Sequence, residues 1–368
     1  MTERDVSDAL AQDGDAMPGE RSPQQKEHLP KTVVITGASS GLGRATAHAF
    51  ARRGDRVALL ARGRAGLEAA SREVTELGGT PLALCIDVTD PDQVEAAAEE
   101  IEEAFGPPDV WINIAGATVF APFQETPPSE YRRVTEVTYL GTVYGTLAAL
   151  RRMVARDSGV IVQVASARAA RHLPLQAAYG GASQAVRAFT ESVRSELLHE
   201  RSRVRLTLVE LPSINTPRYS RSRSRLASRP RPLPPVYQPD VIAEAICYSV
   251  DQGRQEVSFS EPLLKEILAR VPLPEFVERF LADQDWSGQL TNEPEDPERP
   301  DNLWEPLDDD PGIAGYFDDS EDGDQPGWLS RHRLALAAGA LTAFGVLALF
   351  SILTGTRRPD DETWNLFV

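Results

Sequence analysis

Seven short apolar runs alternate with helical stretches between Lys31 and Phe259: TVVIT, RVALLA, PLALCID, DVWINIAG, GVIVQVAS, RVRLTLVEL and QEVSF. The runs are apolar throughout rather than at every second position. A strand of that kind is buried on both faces, which is the signature of a parallel sheet. Helices between successive strands supply the crossovers that parallel pairing requires, and those crossovers are right-handed. The third intervening helix carries its own punctuation, with Pro91 at its start and Gly106 just past its end. The expected fold class is α/β: a doubly wound, Rossmann-type parallel sheet forming one domain over residues 31–282.

Charge divides the chain differently. The formal net charge is −17, but between Asp283 and Ser330 stand sixteen acidic residues and one basic residue, Arg299. The rest of the chain to the N-terminal side of that stretch, from Lys31, is nearly neutral. Low apolar content and high charge predict disorder, so residues 283–330 are expected to be an acidic disordered linker and residues 1–30 a disordered leader. LLKEILARV and PEFVERFLAD, before the linker, read as two amphipathic helices. Leu334–Leu353 is a run of twenty residues without a charge, flanked by Arg331, Arg333, Arg357 and Arg358. That length suits a membrane span, so residues 331–355 are expected to cross a membrane once and 356–368 to form a short tail. Cys85 and Cys247 read as buried free thiols of a reducing compartment. The five histidines show no ligand spacing, so no metal is expected.

The segment TGASSGLG follows the first strand and opens the first helix. Small residues let a backbone approach a pyrophosphate, and the helix N-terminus offers free N–H groups. Thr36, Gly37, Ser39, Ser40, Gly41, Leu42 and Gly43 are therefore candidate cofactor contacts. Further on come NIAG at Asn113–Gly116, Ser166 thirteen residues before Tyr179, and LPSINTP after the sixth strand. With these motifs in this order, the chain resembles the short-chain dehydrogenase/reductase family over roughly Lys31 to Phe259. The resemblance implies that Asp87 and Val88 lie against the adenine, that Asn113, Ala115 and Gly116 line the cofactor, and that Thr216 meets the nicotinamide amide. It also implies that Tyr179 exchanges a proton with the substrate oxygen while Ser166 hydrogen-bonds it.

Two positions depart from the family pattern. The lysine four residues after the tyrosine, which lowers the tyrosine's pKa and holds the ribose in the family, is Ser183. The asparagine on the preceding long helix is Thr138. A serine supplies no charge, and the neighbouring arginines, Arg168 above all, are the remaining local cations; arginine holds its proton and cannot relay one. At the end of the second strand, where an acid would select NAD, the chain reads LLARGR. A guanidinium at Arg62 suits a 2′-phosphate, so NADP is favoured over NAD.

The expected function is a membrane-anchored oxidoreductase passing a hydride between NADP(H) and a carbonyl or alcohol, with Ser166, Tyr179, Thr138 and Ser183 as the catalytic set. The alternative is a catalytically silent dinucleotide-binding sensor or scaffold. Expected partners are a small, apolar carbonyl or alcohol, the membrane, and a second copy of the chain in a homo-oligomer. Nucleic acid is not expected, since the one basic stretch, RYSRSRSRLASRPRP, stands in a chain with a long acidic segment. The absence of an apolar N-terminal run and the cytosolic cofactor put the main domain on the cytoplasmic side.

Overall fold

The structure, a computed structural model, describes residues 29–170, 173–258 and 275–317. All seven predicted strands form. They are β1 Thr32–Thr36, β2 Arg56–Ala61, β3 Thr80–Cys85, β4 Val110–Asn113, β5 Val160–Ser166, β6 Arg205–Leu211 and β7 Glu256–Ser258. They make one sheet in the order β7-β6-β5-β4-β1-β2-β3, with every neighbouring pair parallel. The central β1 pairs Thr36 with Leu60 of β2 and with Asn113 of β4, so three strand ends open at one level. The order reverses between β1 and β4, and this switch point is where open α/β sheets hold ligands.

Helices cover both faces, as the unbroken apolar strands require. On one face α1 Gly41–Ala51, α2 Arg64–Glu76 and α7 Pro239–Gln252 bury Phe50, Leu67 and Ile246 against Val33, Ile35 and Leu59. On the other, α3 Pro91–Phe105, α5 Gly141–Met153 and α6 Ala177–His199 bury Ile101, Met153 and Leu197 against Val34, Leu60 and Trp111. Local chemistry sets the helix ends. Asp90 caps α3 by accepting from the amides of Asp92 and Gln93, with Pro91 in the first turn, and Gly106 past the end has φ +81°. Before α5 the helix α4, Pro128–Thr135, runs through a π-helical turn at Glu136–Leu140. That wide turn carries Thr138, consistent with π-bulges clustering at functional sites.

The largest departure from the sequence reading is the acidic stretch. Asp283 to Phe317 is built into the domain. The helix α8, Glu275–Ser287, extends beyond the PEFVERFLAD segment. Leu290–Pro294 then pairs antiparallel with Ser228–Pro230. Residues 299–317 run on as a strap across the mouth of the sheet. The acids find arginines that a reading of local composition does not see: Asp301 meets Arg223, Glu293 meets Arg229, Asp309 meets Arg221 and Asp310 meets Arg44. Leu303 is 1% exposed and packs among Val88, Val134 and Val137.

One smaller correction concerns a cysteine. Cys85, on the edge strand β3, is exposed and its Sγ donates to the Arg62 carbonyl at 3.1 Å. Cys247 is buried as expected, and burial pushes its thiol up to about 12. Among the described residues no helix is long and apolar enough to cross a membrane. The leader up to residue 28, the LLKEILARV segment, the remainder of the linker from 318 and the apolar run 334–353 lie outside the described residues.

Candidate active site

The glycine-rich turn links β1 to α1. Gly37 takes φ +74°, and its N–H donates to the Leu60 carbonyl at 2.8 Å. A side chain at Gly43 would bring its Cβ within 2.1 Å of the Gly37 carbonyl oxygen, so only glycine closes this turn. The result is a bare backbone ledge of Gly37, Ser39, Ser40, Gly41, Leu42 and Gly43 along one cleft. Thr36 lies beneath it. Its hydroxyl accepts from the amides of Ile114 and Ala115 at 3.1 and 3.2 Å, which locks the ends of β1 and β4 together.

At the end of β2, Arg62 points into the same cleft. Burial lowers its pKa, and the neighbouring Arg133 lowers it further against the pull of Asp87 and Glu305. Asp87 is disfavoured as an anion by burial, but hydrogen bonds from Arg133 at 2.7 Å and from Thr89 outweigh this and hold it below its ordinary value. Val88, Ala115 and Gly116 continue the wall. Asn113 does not reach it. Its amide is buried in a network that accepts from Trp111 Nε1 at 3.0 Å and donates to Gln163 Oε1 at 2.9 Å, so it fixes β4 from inside.

The candidate chemical residues separate in the same way. Ser166, at the end of β5, and Tyr179, in the first turn of α6, line the cleft together with Thr138. Thr138 ties its hydroxyl to the Ala117 amide at 3.1 Å and carbonyl at 3.3 Å, a latch on the chain after β4. Ser183 is set back. It is 1% exposed, and its Oγ accepts from the Ser166 backbone N–H at 2.7 Å. Ser183 therefore anchors the Ser166 backbone and presents nothing to the cleft. Arg168 is engaged as well: it donates to Ser213 Oγ and to the carbonyls of Leu233 and Pro234, and burial lowers its pKa.

The cation that does reach the tyrosine is Arg218. Its guanidinium carbon lies 3.9 Å from the centroid of the Tyr179 ring, within cation–π range. Its Nε and Nη2 are buried without a hydrogen-bond partner, although the side chain lines the cleft. Arg218 opens the basic stretch RYSRSRSRLASRPRP, and the sequence does not single it out from the five other arginines there. Its one signal is its position two residues after Thr216, which the family resemblance sets beside the nicotinamide. Arg133 and Gln289 were also missed. Gln289 accepts from Gln176 Nε2 at 2.6 Å and closes the far wall.

These features define a class: a Rossmann-type protein with a dinucleotide cleft and a serine–tyrosine pair at its inner end. The family profile described as short chain dehydrogenase matches residues 31–227, more than half of the chain. The chain belongs to the short-chain dehydrogenase family. It is 28% identical over 284 residues to the uncharacterized oxidoreductase YxnA of Bacillus subtilis, covering 76% of this chain and 79% of that one. It is 36% identical over 188 residues to dehydrogenase/reductase SDR family member 7B of Mus musculus, covering 50% of this chain and 58% of the mouse protein. Among solved structures, an alcohol dehydrogenase of the archaeon Thermococcus sibiricus complexed with 5-hydroxy-NADP superposes with a TM-score of 0.56 at 27% identity, covering 67% of this chain and all of that one. A metagenomic short-chain oxidoreductase in complex with NADP gives 0.53 at 27% identity, over 62% and 96% of the two chains.

Proposed function

We propose that the protein is an NADP(H)-dependent oxidoreductase whose carbonyl or alcohol substrate carries an anionic group beside the reacting carbon. The observation that carries this reading is Arg218: a half-buried guanidinium against the ring of Tyr179, whose Nε and Nη2 are buried without a hydrogen-bond partner. Buried guanidinium nitrogens without an acceptor are costly, and a carboxylate or phosphate would satisfy both at once. The 5-hydroxy-NADP and NADP bound by the two structural relatives support the cofactor. So does the glycine ledge, together with a guanidinium and no acid at the end of β2. Arg62, Ser39 and Ser40 would hold the 2′-phosphate end, the α1 N-terminus the pyrophosphate, and Thr216 the carboxamide.

When bound, the nicotinamide supplies or takes the hydride. The remaining work falls to this chain. Tyr179 gives its proton to the substrate oxygen or takes it back. The Ser166 hydroxyl holds that oxygen, and the Ser166–Ser183 bond fixes the backbone from which it projects. Arg218 pairs with the substrate anion and stabilises negative charge developing beside it. It replaces the charge of the family's lysine but not its proton relay.

In the full chain, Tyr179→Phe should abolish turnover of a panel of keto acids while leaving NADPH binding intact. Arg218→Ala should raise KM for keto acids by about ten- to a hundredfold, the range of one charged hydrogen bond, and leave neutral ketones little affected. Full activity in Tyr179→Phe would remove the tyrosine from the mechanism. Equal losses for both substrate classes would remove the anion. A second reading, a silent dinucleotide-binding sensor, is favoured by the enclosed Ser183; it predicts NADPH binding with no turnover of any substrate. We also propose that residues 331–355 tether the domain to a membrane, on the strength of the uncharged run; the arginines flank it two to a side and set no orientation, so the cytoplasmic side is proposed from the cytosolic cofactor.

A further inference from the structure

We infer that residues 299–317 are an internal competitor of the cofactor, an acidic strap that lies along the dinucleotide cleft and must leave for NADP(H) to bind. This inference rests on the cofactor assignment above and adds how access to that site is controlled.

The strap meets the cofactor residues in order, from one end of the cleft to the other. At the adenine end, Arg62 donates to the carbonyls of Asn302 and Trp304 at 2.6 and 2.7 Å, and Arg133 donates to that of Leu303 at 3.1 Å. The Leu303 side chain fills the apolar hollow next to Val88. Along the glycine ledge, Asp310 engages Arg44, and Asp309 accepts from Arg221 at 2.9 Å. The Gly312 carbonyl takes the Gly41 N–H at 3.0 Å, one of the free amides of α1 that would otherwise face a pyrophosphate. At the nicotinamide end, Gly315 N–H donates to the Asn215 carbonyl at 3.2 Å and Phe317 N–H to Asn215 Oδ1 at 3.1 Å.

The Gly41 amide has one N–H, and while it donates to the strap it cannot serve a phosphate; Arg62 has two of its five donors turned to strap carbonyls as well. With the strap seated, the cleft retains about 290 Å³ of free space, at the small end for any ligand pocket, let alone for a dinucleotide and a substrate together. The strap is also shaped to the cleft. Gly312 takes φ +67°, and a Cβ on Gly315 would stand 2.7 Å from both Asn215 Oδ1 and the Thr216 carbonyl. Its carboxylates carry the charge sign of the ligand they exclude. Being tethered, the strap competes at high effective concentration, and the apparent cofactor affinity falls by the fraction of molecules that are open.

The test compares the full chain with two full-length variants that spare every proposed cofactor-binding residue: Asp309→Asn/Asp310→Asn, which removes two ion pairs, and Gly315→Val, which cannot seat against Thr216. NADPH is titrated by calorimetry, and amide hydrogen exchange is followed by mass spectrometry. Both variants should bind NADPH about tenfold tighter or more. In the unaltered chain, saturating NADPH should speed exchange over 302–315 while slowing it over 37–43. Equal affinities in all three proteins would overturn the strap. Slowed exchange in both segments would overturn it too, since the strap would then close over the cofactor rather than yield to it. If the variants bind no NADPH at millimolar concentration, the cofactor assignment itself fails and the strap inference with it.

Discussion

At residue scale the informative contrast is between Ser183 and Arg218. The spacing from Tyr179 puts Ser183 one helical turn on, and α6 is regular there. The spacing could not show that the serine turns away from the cleft to accept from the Ser166 amide. Nor could it show that a guanidinium 39 residues further along the chain returns to the tyrosine ring. Contacts of that kind depend on how the chain after β6 folds back, and no local periodicity records it. The role now assigned to Ser183 has its own test. Ser183→Ala leaves the Ser166 N–H buried and unpaired, so it should cost about 1–3 kcal/mol in a denaturant melt. NADPH affinity should stay unchanged. A variant as stable as the parent would mean that the 2.7 Å bond does not hold the serine's backbone.

At the scale of elements, the seven strands and their order of appearance were legible because each is apolar on both faces and bounded by glycine or polar turns. The basic stretch RYSRSRSRLASRPRP and the acidic stretch carry opposite charges that can pair, but neither sequence shows that the pairing orders residues 283–317. RYSRSRSRLASRPRP reads as a solvated loop, and Asp283–Phe317 as disordered, because neither has enough apolar surface to fold by itself. Together they form a charged clasp. Its deepest member is Glu130 of α4, 2% exposed, which receives Arg223 at 2.9 Å and Arg225 at 2.6 Å. Burial alone would raise the Glu130 pKa, but those two arginines outweigh it and hold it below its ordinary value. Asp309 and Asp310 are held low by their hydrogen bonds to Arg221 and Arg44. Carboxylates with depressed folded pKa values stabilise fully above their unfolded value, about 4, and lose that contribution as pH falls through the folded one. The clasp should therefore be unaffected between pH 5 and 8 and open only in acid below about 4. Hydrogen exchange over 218–231 and 299–317 across that range reads this directly. Glu130→Ala should cost about 2–3 kcal/mol at neutral pH, since two partly exposed arginines lose a buried partner, and the loss should vanish in acid. An opening midpoint near neutrality would point to other groups.

At the scale of the whole molecule, the ordered strap changes what a tether can do. A disordered linker over all of 283–330 would let the domain range widely from a membrane. With 283–317 built into the domain, only residues 318–330 separate it from the segment proposed to span the bilayer. Thirteen residues reach at most about 45 Å when fully extended. Release of the strap from residue 299 would lengthen the reach to roughly 110 Å by the same geometry. Cofactor binding and distance from the membrane would then be coupled, which suits a substrate with an anionic head held at a lipid surface. The coupling stands or falls with the span. A chain ending at residue 330 should appear in the soluble fraction of disrupted cells and still bind NADPH, whereas the full chain should sediment with membranes and resist carbonate extraction. Protease added outside intact cells should leave the domain whole. A truncated chain that still sediments would place the anchor elsewhere, and digestion of the domain from outside would reverse its orientation.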